Sequence, residues 1–259
     1  MADEDPVASA VDLRECEREP IHVPGAIQPH GVLLNLRESD LTITQASVNA
    51  LAVLGVDAQN LLQQPLMQFI ADESMDKIRE ALDLKNVAVA NPVRVELRNA
   101  QGSAFDGILH RHSGALIFEL EPRRTRNERY LRNAASNIGG ALELLHSTPD
   151  IQTLCETTAE EVRRIAGFDR VMVYRFDPEW NGEVIAEAKV EDTGSYLHHR
   201  FPASDIPAQA RQLYTLNWIR FIPTVDYRPA GLLGTADLAE PLDMSFSVLR
   251  SVLRSILST

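Results

Sequence analysis

A helix pattern runs directly into a strand pattern in the stretch IQTLCETTAEEVRRIAGFDRVMVYRF, residues 151–176. The first part of this stretch has apolar residues at helical spacing, and they form one stripe: Ile151, Leu154, Cys155, Val162, Ile165 and Ala166. Thr148 can cap this helix, Pro149 suits its first turn, and Gly167 can end it. The sequence therefore predicts an amphipathic helix with one buried face.

A strand and its antiparallel partner follow this helix. Residues 171–176 are mostly β-branched or aromatic, which is typical of a strand, and Met172 and Tyr174 lie on the same face of it. Residues 184–188 are predicted to pair with this strand across a turn at 177–182. A further helix pattern at 129–145 precedes both helix and strands, so the order helix–helix–strand–strand predicts an α+β domain.

The first half of the chain predicts a second α+β domain. Residues 1–30 show little periodicity and are rich in proline, which indicates an extended segment. The predicted elements that follow are strands at 31–36 and 41–46, helices at 49–54 and 73–83, and strands at 92–98, 103–110 and 114–120. This order matches a PAS domain, although a generic α+β domain has the same pattern.

The composition excludes several classes of function. The chain has 259 residues, with 37 acidic and 25 basic side chains, and its net charge of −12 argues against binding to nucleic acid or to an anionic membrane surface. No run of about 18 apolar residues occurs, and the acidic start lacks the apolar segment of a secretory signal. Two cysteines fit a reducing compartment, so we expect a cytoplasmic protein.

The two cysteines differ in their surroundings. Cys155 belongs to the apolar stripe of its helix, and we interpret it as a core residue. Cys16 lies between Glu15 and Glu17 in the segment with little periodicity, and its thiolate is suited to adding to a vinyl or ethylidene carbon. From these residues alone, an idle thiol in a flexible arm is the simpler interpretation.

Residues 204–211 predict the start of a helix, with Ser204 or Asp205 as its cap and Pro207 in its first turn. One interpretation is that the Asp205 carboxylate only satisfies free backbone donors. The other is that it lies beside protonated nitrogens of a ligand and stabilises their charge. Spacing alone favours the cap.

The histidines give no metal site. His198 and His199 are adjacent and face opposite ways on an extended chain, and His110 with His112 would supply two ligands at most. We interpret both pairs as structural or surface residues.

The remaining polar residues give weak signals. Arg220 and Arg250 could each bind a carboxylate, although each by itself is more simply a surface charge. No phosphate-binding loop, Ser–His–Asp arrangement or pair of catalytic acids emerges from the sequence. We therefore expect that the chain is not an enzyme.

Several stretches closely resemble the signature sequences of bacteriophytochromes, the bilin-binding photoreceptors of bacteria. CEREPIHVPGAIQPHG at 16–31 resembles their N-terminal signature. RVMVYRFD at 170–177, followed by RFPASDIP at 200–207, resembles the core of their GAF domain. The stretches occur in the order and at about the spacing of the family, and the resemblance covers nearly the whole chain to Ser251.

For the chromophore, the resemblance implies biliverdin that is attached by a thioether to Cys16. It implies that the carboxylate and backbone carbonyl of Asp205 face the pyrrole nitrogens, and that Arg220 and Arg250 bind the two propionates. Among the expected residues, three match those around the ring that rotates after photon absorption: Met172, Tyr174 and Phe201. The full expected set is Cys16, Met172, Tyr174, Phe201, Ser204, Asp205, Ile206, Pro207, Tyr214, Arg220 and Arg250.

The resemblance also implies the fold. We expect an α+β chain in which a PAS domain is followed by a GAF domain, each an antiparallel sheet with flanking helices. The expected limits are an arm at 1–25, the PAS domain at 26–121, a linker at 122–128 and the GAF domain at 129–259. The arm is expected to thread through a loop of the GAF domain at Ile27, which would form a knot.

The end of the sequence departs from the family pattern. After Ser251 the family continues with two pocket histidines and central GAF strands. A PHY domain and an output module, usually a histidine kinase, follow in the family. None of the seven histidines of this sequence lies beyond His199. We therefore expect a truncated GAF domain with exposed sheet edges, without PHY and output modules, that binds biliverdin weakly or photoconverts poorly.

These expectations lead to one function and one alternative. The first is a light sensor that binds biliverdin covalently and photoisomerises it between red- and far-red-absorbing states for sensory transduction. The alternative is a degenerate PAS–GAF scaffold without chromophore, which acts by dimerisation or partner binding. The amphipathic pattern at 129–145 could form a homodimer face, although a solvated or intradomain helix explains it equally well.

Overall fold

The computed structural model describes residues 20–99, 104–123, 128–217, 219–236 and 241–252. Contacts between Cα atoms divide them into two units. One unit combines the described residues up to 123 with those from Ala208 onward, and the other comprises the described residues of 125–207. Residues from 208 onward, which we expected in the GAF domain, thus group with the first unit in these contacts. The domain limits stay a prediction.

The elements follow the predicted α+β order. Among the described residues the strands are β1 (Ala26–Ile27), β2 (Val32–Arg37), β3 (Thr42–Ser47), β4 (Val93–Glu96), β5 (Ala104–His112), β6 (Ala115–Pro122), β7 (Arg170–Phe176), β8 (Gly182–Lys189), β9 (Arg200–Phe201) and β10 (Ala230–Gly234). The α-helices are α1 (Ala50–Leu54), α2 (Ala58–Leu61), α3 (Asp72–Asp83), α4 (Glu128–His146), α5 (Ile151–Ala166) and α6 (Ala208–Leu216). Short 3-10 turns occur at Leu66–Gln68, Val87–Ala90 and Ala203–Asp205.

The first unit is built on one antiparallel sheet with the strand order β1-β10-β3-β2-β6-β5-β4. The five strands predicted for this part of the chain are present as β2 to β6. β5 and β6 form a long hairpin, in which Ser113 and Gly114 have φ angles of 48° and 77°. Positive φ at both central residues is what a two-residue hairpin turn requires, so the predicted turn at this position is confirmed.

Both faces of this sheet are covered. Side chains of one face pack with α1 to α3 into the larger core, which includes Leu34, Ile43 and Phe118. The opposite face carries Leu33 and Ile117, and it is covered by apolar side chains from both ends of the described chain: Ile27, Leu242, Met244 and Leu249. Because both faces are buried, β6 reads ALIFELEP, with apolar residues on both sides of the strand.

Two short strands that the sequence does not predict extend the sheet at one edge. Ala26 and Ile27 of β1 pair with Gly231 and Ala230 of β10, and β10 pairs in turn with β3. Residues within the N-terminal signature are therefore hydrogen-bonded to a segment near the end of the described chain. The predicted knot at Ile27 stays a prediction.

The second unit consists of α4 and α5 and a three-stranded antiparallel sheet in the order β7-β8-β9. Cys155 and Ala159 of α5 pack against Ala186 of β8, so the interpretation of Cys155 as a core residue is confirmed. β7 pairs with β8 on one side, and no described strand of this unit pairs with its other side.

The start of α5 differs from the prediction by two residues. Its cap is Asp150, whose carboxylate accepts a hydrogen bond from the amide of Thr153 at 2.8 Å. The predicted cap, Thr148, is wrong because its hydroxyl instead donates to the carbonyl of Leu145 at the end of α4. Gly167 ends the helix in a left-handed conformation, φ 75°, as predicted.

Candidate functional site

Aromatic side chains gather on the small sheet of the second unit. The ring of Tyr174 on β7 meets the ring of Phe176 edge-on, with 5.1 Å between the ring centroids, and lies 6.0 Å from the ring of Phe201 on β9. Tyr174 and Phe201 are half-buried, and Met172 is 44 % exposed. The three residues that we expect around the rotating ring of the chromophore thus lie on one sheet, with two of their rings adjacent.

Gly182 lets the Tyr174 ring lie close to the backbone of β8. Gly182 begins β8 and pairs with Phe176. A Cβ atom added to Gly182 would lie 1.8 Å from the Cζ and Oη atoms of Tyr174. Any larger residue would therefore displace the ring. The sequence offers only a weak signal for this role, because a glycine after Asn181 is also typical of a turn.

Ser204 and Asp205 lie in the 3-10 turn Ala203–Asp205, and α6 begins only at Ala208. The predicted helix start, with a cap at Ser204 or Asp205 and Pro207 in the first turn, is therefore wrong, since Pro207 directly precedes the helix. The amide of Asp205 donates to the carbonyl of Pro202 at 3.1 Å, and this i to i+3 bond gives the tighter turn.

The 3-10 turn is tied to the β7–β8 hairpin. The amide of Ala203 donates to Oδ1 of Asn181 at 3.3 Å. Asp205 is exposed, and Ile206 and Pro207 are half-buried. Burial raises the pKa of the Tyr174 hydroxyl, and the negative charge of Asp205 raises it further, so the carboxylate and the aromatic cluster share one electrostatic environment.

Two arginines of the first unit have unpaired guanidinium nitrogens. Arg250 is 8 % exposed, and its Nε and Nη1 atoms have no hydrogen-bond partner among the described residues. Nη1 of Arg220 also has none there, while its Nη2 donates to the backbone carbonyl of Arg250. Burial, and next the charge of Arg220, lowers the pKa of Arg250 to about 10. Two adjacent cations, one buried and one half-buried, that have unpaired N–H groups can bind carboxylates.

The backbone around Arg250 is held by residues within the N-terminal signature. The amide of Gln28 donates to the carbonyl of Leu249 at 2.7 Å, and its Nε2 atom donates to the carbonyl of Arg250 at 3.3 Å. The amide of Ser251 donates to the carbonyl of Ala26 at 3.2 Å. Residues 26–28 therefore fix the position from which the Arg250 side chain extends.

Glu119 holds the same segment from the other side, and sequence reasoning missed it. Its carboxylate is fully buried and accepts hydrogen bonds from the Ser247 hydroxyl and from the amides of Val248 and Leu249, at 3.0 and 3.1 Å for the two amides. Burial raises its pKa to about 7, which the three hydrogen bonds oppose. An acidic residue within the apolar strand β6 indicates a buried carboxylate with hydrogen-bond partners, and this pattern could have pointed to Glu119.

The expected chromophore residues are divided between the two units. Tyr214 is 49 % exposed on α6, in the first unit with Arg220 and Arg250. Met172, Tyr174, Phe201 and 204–207 belong to the second unit. Cys16 lies outside the described residues.

The histidines occupy separate environments. His110 on β5 is buried, with its Nδ1 atom 4.0 Å from the Glu119 carboxylate, and burial lowers its pKa to about 4. Nε2 of His112 lies 3.1 Å from the Asp243 carboxylate. His198 and His199 are exposed, as interpreted from the sequence. Within the described ranges, no three His, Cys, Asp or Glu residues gather as a metal site would need.

The helices of the described residues do not include one with the length and apolar character needed to cross a membrane. The expected cytoplasmic location stays a prediction.

Two domain families match the chain. The PAS fold family matches residues 16–123, and the GAF domain family matches residues 150–230. The predicted fold class, a PAS domain followed by a GAF domain, is confirmed by these matches.

Curated relatives with similar sequences are phytochromes. "Cyanobacterial phytochrome B" of Nostoc sp. is 44% identical over 245 residues, which make up 93% of this chain and 33% of the relative. "Bacteriophytochrome" of Pseudomonas aeruginosa is 39% identical over 246 residues, again 93% of this chain and 33% of the relative. The chain thus spans about a third of the length of the curated relatives that it matches.

Solved structures with a similar fold are chromophore-binding domains. The chromophore-binding domain of Stigmatella aurantiaca phytochrome P1 is 50% identical with a TM-score of 0.89, over 94% of this chain and 80% of that one. The chromophore-binding domain of an unusual bacteriophytochrome from R. palustris is 43% identical with a TM-score of 0.84, over 94% and 79%. The chain therefore belongs to the phytochrome family, and it matches the PAS and GAF domains of bacteriophytochromes.

Proposed function

We propose that this chain is a light-sensing part of a bacterial phytochrome, which binds biliverdin covalently and photoisomerises it between red- and far-red-absorbing states for sensory transduction. The observation that carries the proposal is the pair Arg220 and Arg250, each of which has a buried guanidinium nitrogen without a hydrogen-bond partner among the described residues. Bound biliverdin would supply the absorption of light and a double bond that isomerises. The chain would supply attachment, orientation and charge.

The buried arginines support a ligand with two carboxylates. A buried cation without a partner is costly, and the like charges of Arg220 and Arg250 lie close enough to lower the pKa of Arg250. Two ligand carboxylates would supply acceptors for the free N–H groups and would remove the repulsion. Biliverdin carries two propionates, so we propose that Arg250 binds one of them and that Arg220, with Tyr214, binds the other.

The aromatic cluster supports a flat apolar ligand. Pockets for such ligands are lined mainly by apolar and aromatic side chains with a few polar anchors. Met172, Tyr174 and Phe201 provide such side chains, and we propose that they surround the ring that rotates. Gly182 keeps the Tyr174 ring in place, because it leaves space that a Cβ atom would fill.

The 3-10 turn supports a role in proton stabilisation. The exposed carboxylate of Asp205 is available to the pyrrole nitrogens, and its negative charge would stabilise their protonated form. We propose that Ser204, Ile206 and Pro207 line the same site. The bond between Ala203 and Asn181 would hold this turn in place while the ligand changes shape.

Attachment is proposed at Cys16. Its thiolate would add to one carbon of a vinyl group and the other vinyl carbon would take up a proton, so that a C–S bond forms without a leaving group. A thioether retains the ligand even if the site is loosely closed.

The alternative, a scaffold without chromophore, is not favoured. It gives no reason for placing two arginines beside each other with guanidinium nitrogens that lack acceptors among the described residues. We propose no catalytic role for this chain. We do propose a homodimer through α4, on which Ile138 and Leu142 lie one helical turn apart and are half-exposed.

Co-expression with a heme oxygenase tests the proposal. We expect a band that fluoresces in the presence of zinc on a denaturing gel, since only a covalent bilin survives denaturation. Cys16→Ala should abolish this fluorescence. Cys155→Ala is the matched control, because Cys155 is the other cysteine of the chain and lies in the core of the second unit, and it should keep the fluorescence. A wild-type band without fluorescence, or equal fluorescence in Cys16→Ala, would contradict the proposed attachment.

A further inference from the structure

A cavity of about 200 Å³ lies inside the first unit, between the sheet and the helices α1 and α2. Its inner wall consists of side chains that are at most 1 % exposed: Leu34, Ile43, Leu61, Leu66, Ile70 and Leu120. None of the residues proposed to bind the chromophore lines it. The cavity is therefore a separate feature of the first unit.

Two segments of the cavity wall are joined by hydrogen bonds of the backbone. The amide of Arg98 donates to the carbonyl of Phe69 at 2.9 Å, and Ile70 forms an isolated β-bridge with Leu97. Phe69, Ile70 and Leu97 all line the cavity. These bonds fix the backbone of two wall segments relative to each other.

The chemistry of the wall disfavours charged ligands and deeply bound water. The described lining contains no charged side chain, and a buried water needs two to four polar partners. An apolar space without water leaves the atoms of its walls without dispersion partners on one side. An apolar molecule that enters would provide those contacts.

The rim of the cavity contains one polar side chain. Gly55, in a left-handed conformation at the end of α1, Val56 and Asn99 line it where the chain is exposed or half-exposed. The amide of Asn99 can pair with one hydrogen-bonding group of a ligand. A ligand that suits the cavity is thus uncharged and apolar, with at most one polar atom at the end that faces Asn99.

The volume limits the ligand to a small ring system. An engineered cavity of about 150 Å³ lined by Leu, Ile and Phe stays dry and binds benzene. The cavity here is somewhat larger and has a similar lining. We propose that the first unit has a second ligand site, which binds a small uncharged aromatic molecule of one or two fused rings and is independent of the chromophore.

Indole is the probe that tests this site. We expect saturable binding of one indole per full chain in titration calorimetry, with shifts of the methyl NMR signals of Leu61 and Leu66. Val56→Trp should fill the rim and weaken indole binding by about tenfold or more. Val53→Trp is the matched control, because Val53 packs against the same core from the neighbouring helix and does not line the cavity, and it should leave the affinity unchanged.

A second variant keeps the test independent of how Val56→Trp folds. Asn99 is exposed, so Asn99→Leu should fold normally and should weaken the binding of indole, which has an N–H group, while leaving the binding of benzene unchanged. The absence of methyl shifts at Leu61 and Leu66 in saturating indole would overturn the proposal. So would equal indole affinity in folded Val56→Trp and Val53→Trp.

Discussion

Replacement of Glu119 should show that Glu119 and His110, both buried in the first unit, change the stability of the fold with pH in opposite directions. Burial raises the pKa of the Glu119 carboxyl from 4.5 to about 7, and burial lowers the pKa of the neighbouring His110 from 6.5 to about 4. The stability that Glu119 contributes is present below pH 4.5 and is lost as the pH rises through 7. The stability that His110 contributes is present above pH 6.5 and is lost as the pH falls through 4.

In the wild type the two effects cancel between pH 4.5 and 6.5. In the folded chain the pair holds one proton on Glu119, and in the unfolded chain it holds one proton on His110, so folding takes up no proton at this pair. Each shift amounts to roughly 3 kcal/mol, because one pKa unit is worth about 1.4 kcal/mol. Glu121 and His112, which also act on these groups, contribute smaller effects.

Glu119→Gln removes the titrating carboxyl group and leaves His110 in place. As the pH rises from 4.5 to 6.5, the free energy of unfolding of this variant should increase by up to roughly 3 kcal/mol more than that of the wild type, because His110 then titrates without the opposing effect of Glu119. His110→Gln should show the opposite slope, a loss of stability as the pH rises from 4.5 to 7. Urea unfolding followed by circular dichroism measures both slopes.

The control for this prediction is Glu121→Gln. Glu121 lies two residues further along β6 but is only half-buried, and it makes the smallest contribution to the pKa of Glu119, so its removal should change the pH slope of the wild type much less than Glu119→Gln does. The reasoning fails if Glu119→Gln shows the wild-type slope, or if Glu119→Gln and His110→Gln change the slope in the same direction.

Two further substitutions test the proposed chromophore residues. Gly182→Ala should displace the Tyr174 ring. It should therefore destabilise the second unit by about 1–3 kcal/mol in thermal unfolding and shift the absorption band of the bilin adduct. In the control Gly194→Ala, the added Cβ atom meets nothing within 4 Å, so stability and absorption should both stay unchanged. Arg250→Met should leave the apoprotein equally or more stable, because it removes a buried cation whose Nε and Nη1 atoms have no partner among the described residues. The same variant should weaken biliverdin binding by about tenfold or more. The control Arg228→Met replaces an exposed arginine and should change neither stability nor binding. Lower apoprotein stability with unchanged biliverdin affinity in Arg250→Met would contradict its assignment to a propionate.

Local patterns in the sequence predict most of the regular elements. The stripe of α5, its end at Gly167 and the strands β2 to β8 follow from periodicity and turn residues, because each pattern lies within one element. The start of α5 could not be placed on Asp150, because Thr148 is an equally good cap until the structure shows its hydroxyl bonded to the end of α4.

Features that depend on distant segments could not be predicted. β1 is only two residues long, and β10 reads AGLLG, with little β propensity, so their pairing is set by the fold around them. The burial of Arg250 has the same origin, because the residues that hold its backbone, Gln28 and Glu119, are far away in the sequence. The roles proposed for Cys16 and Asp205 come from the family resemblance alone, since spacing alone favours an idle thiol and a helix cap.

Intact-mass spectrometry of the purified chain after incubation with excess biliverdin is the most direct test of covalent chromophore binding. After denaturation and removal of free pigment, we predict that the mass increases by that of one biliverdin and that peptide mapping finds the addition at Cys16. An unchanged mass and a colourless protein would contradict the account.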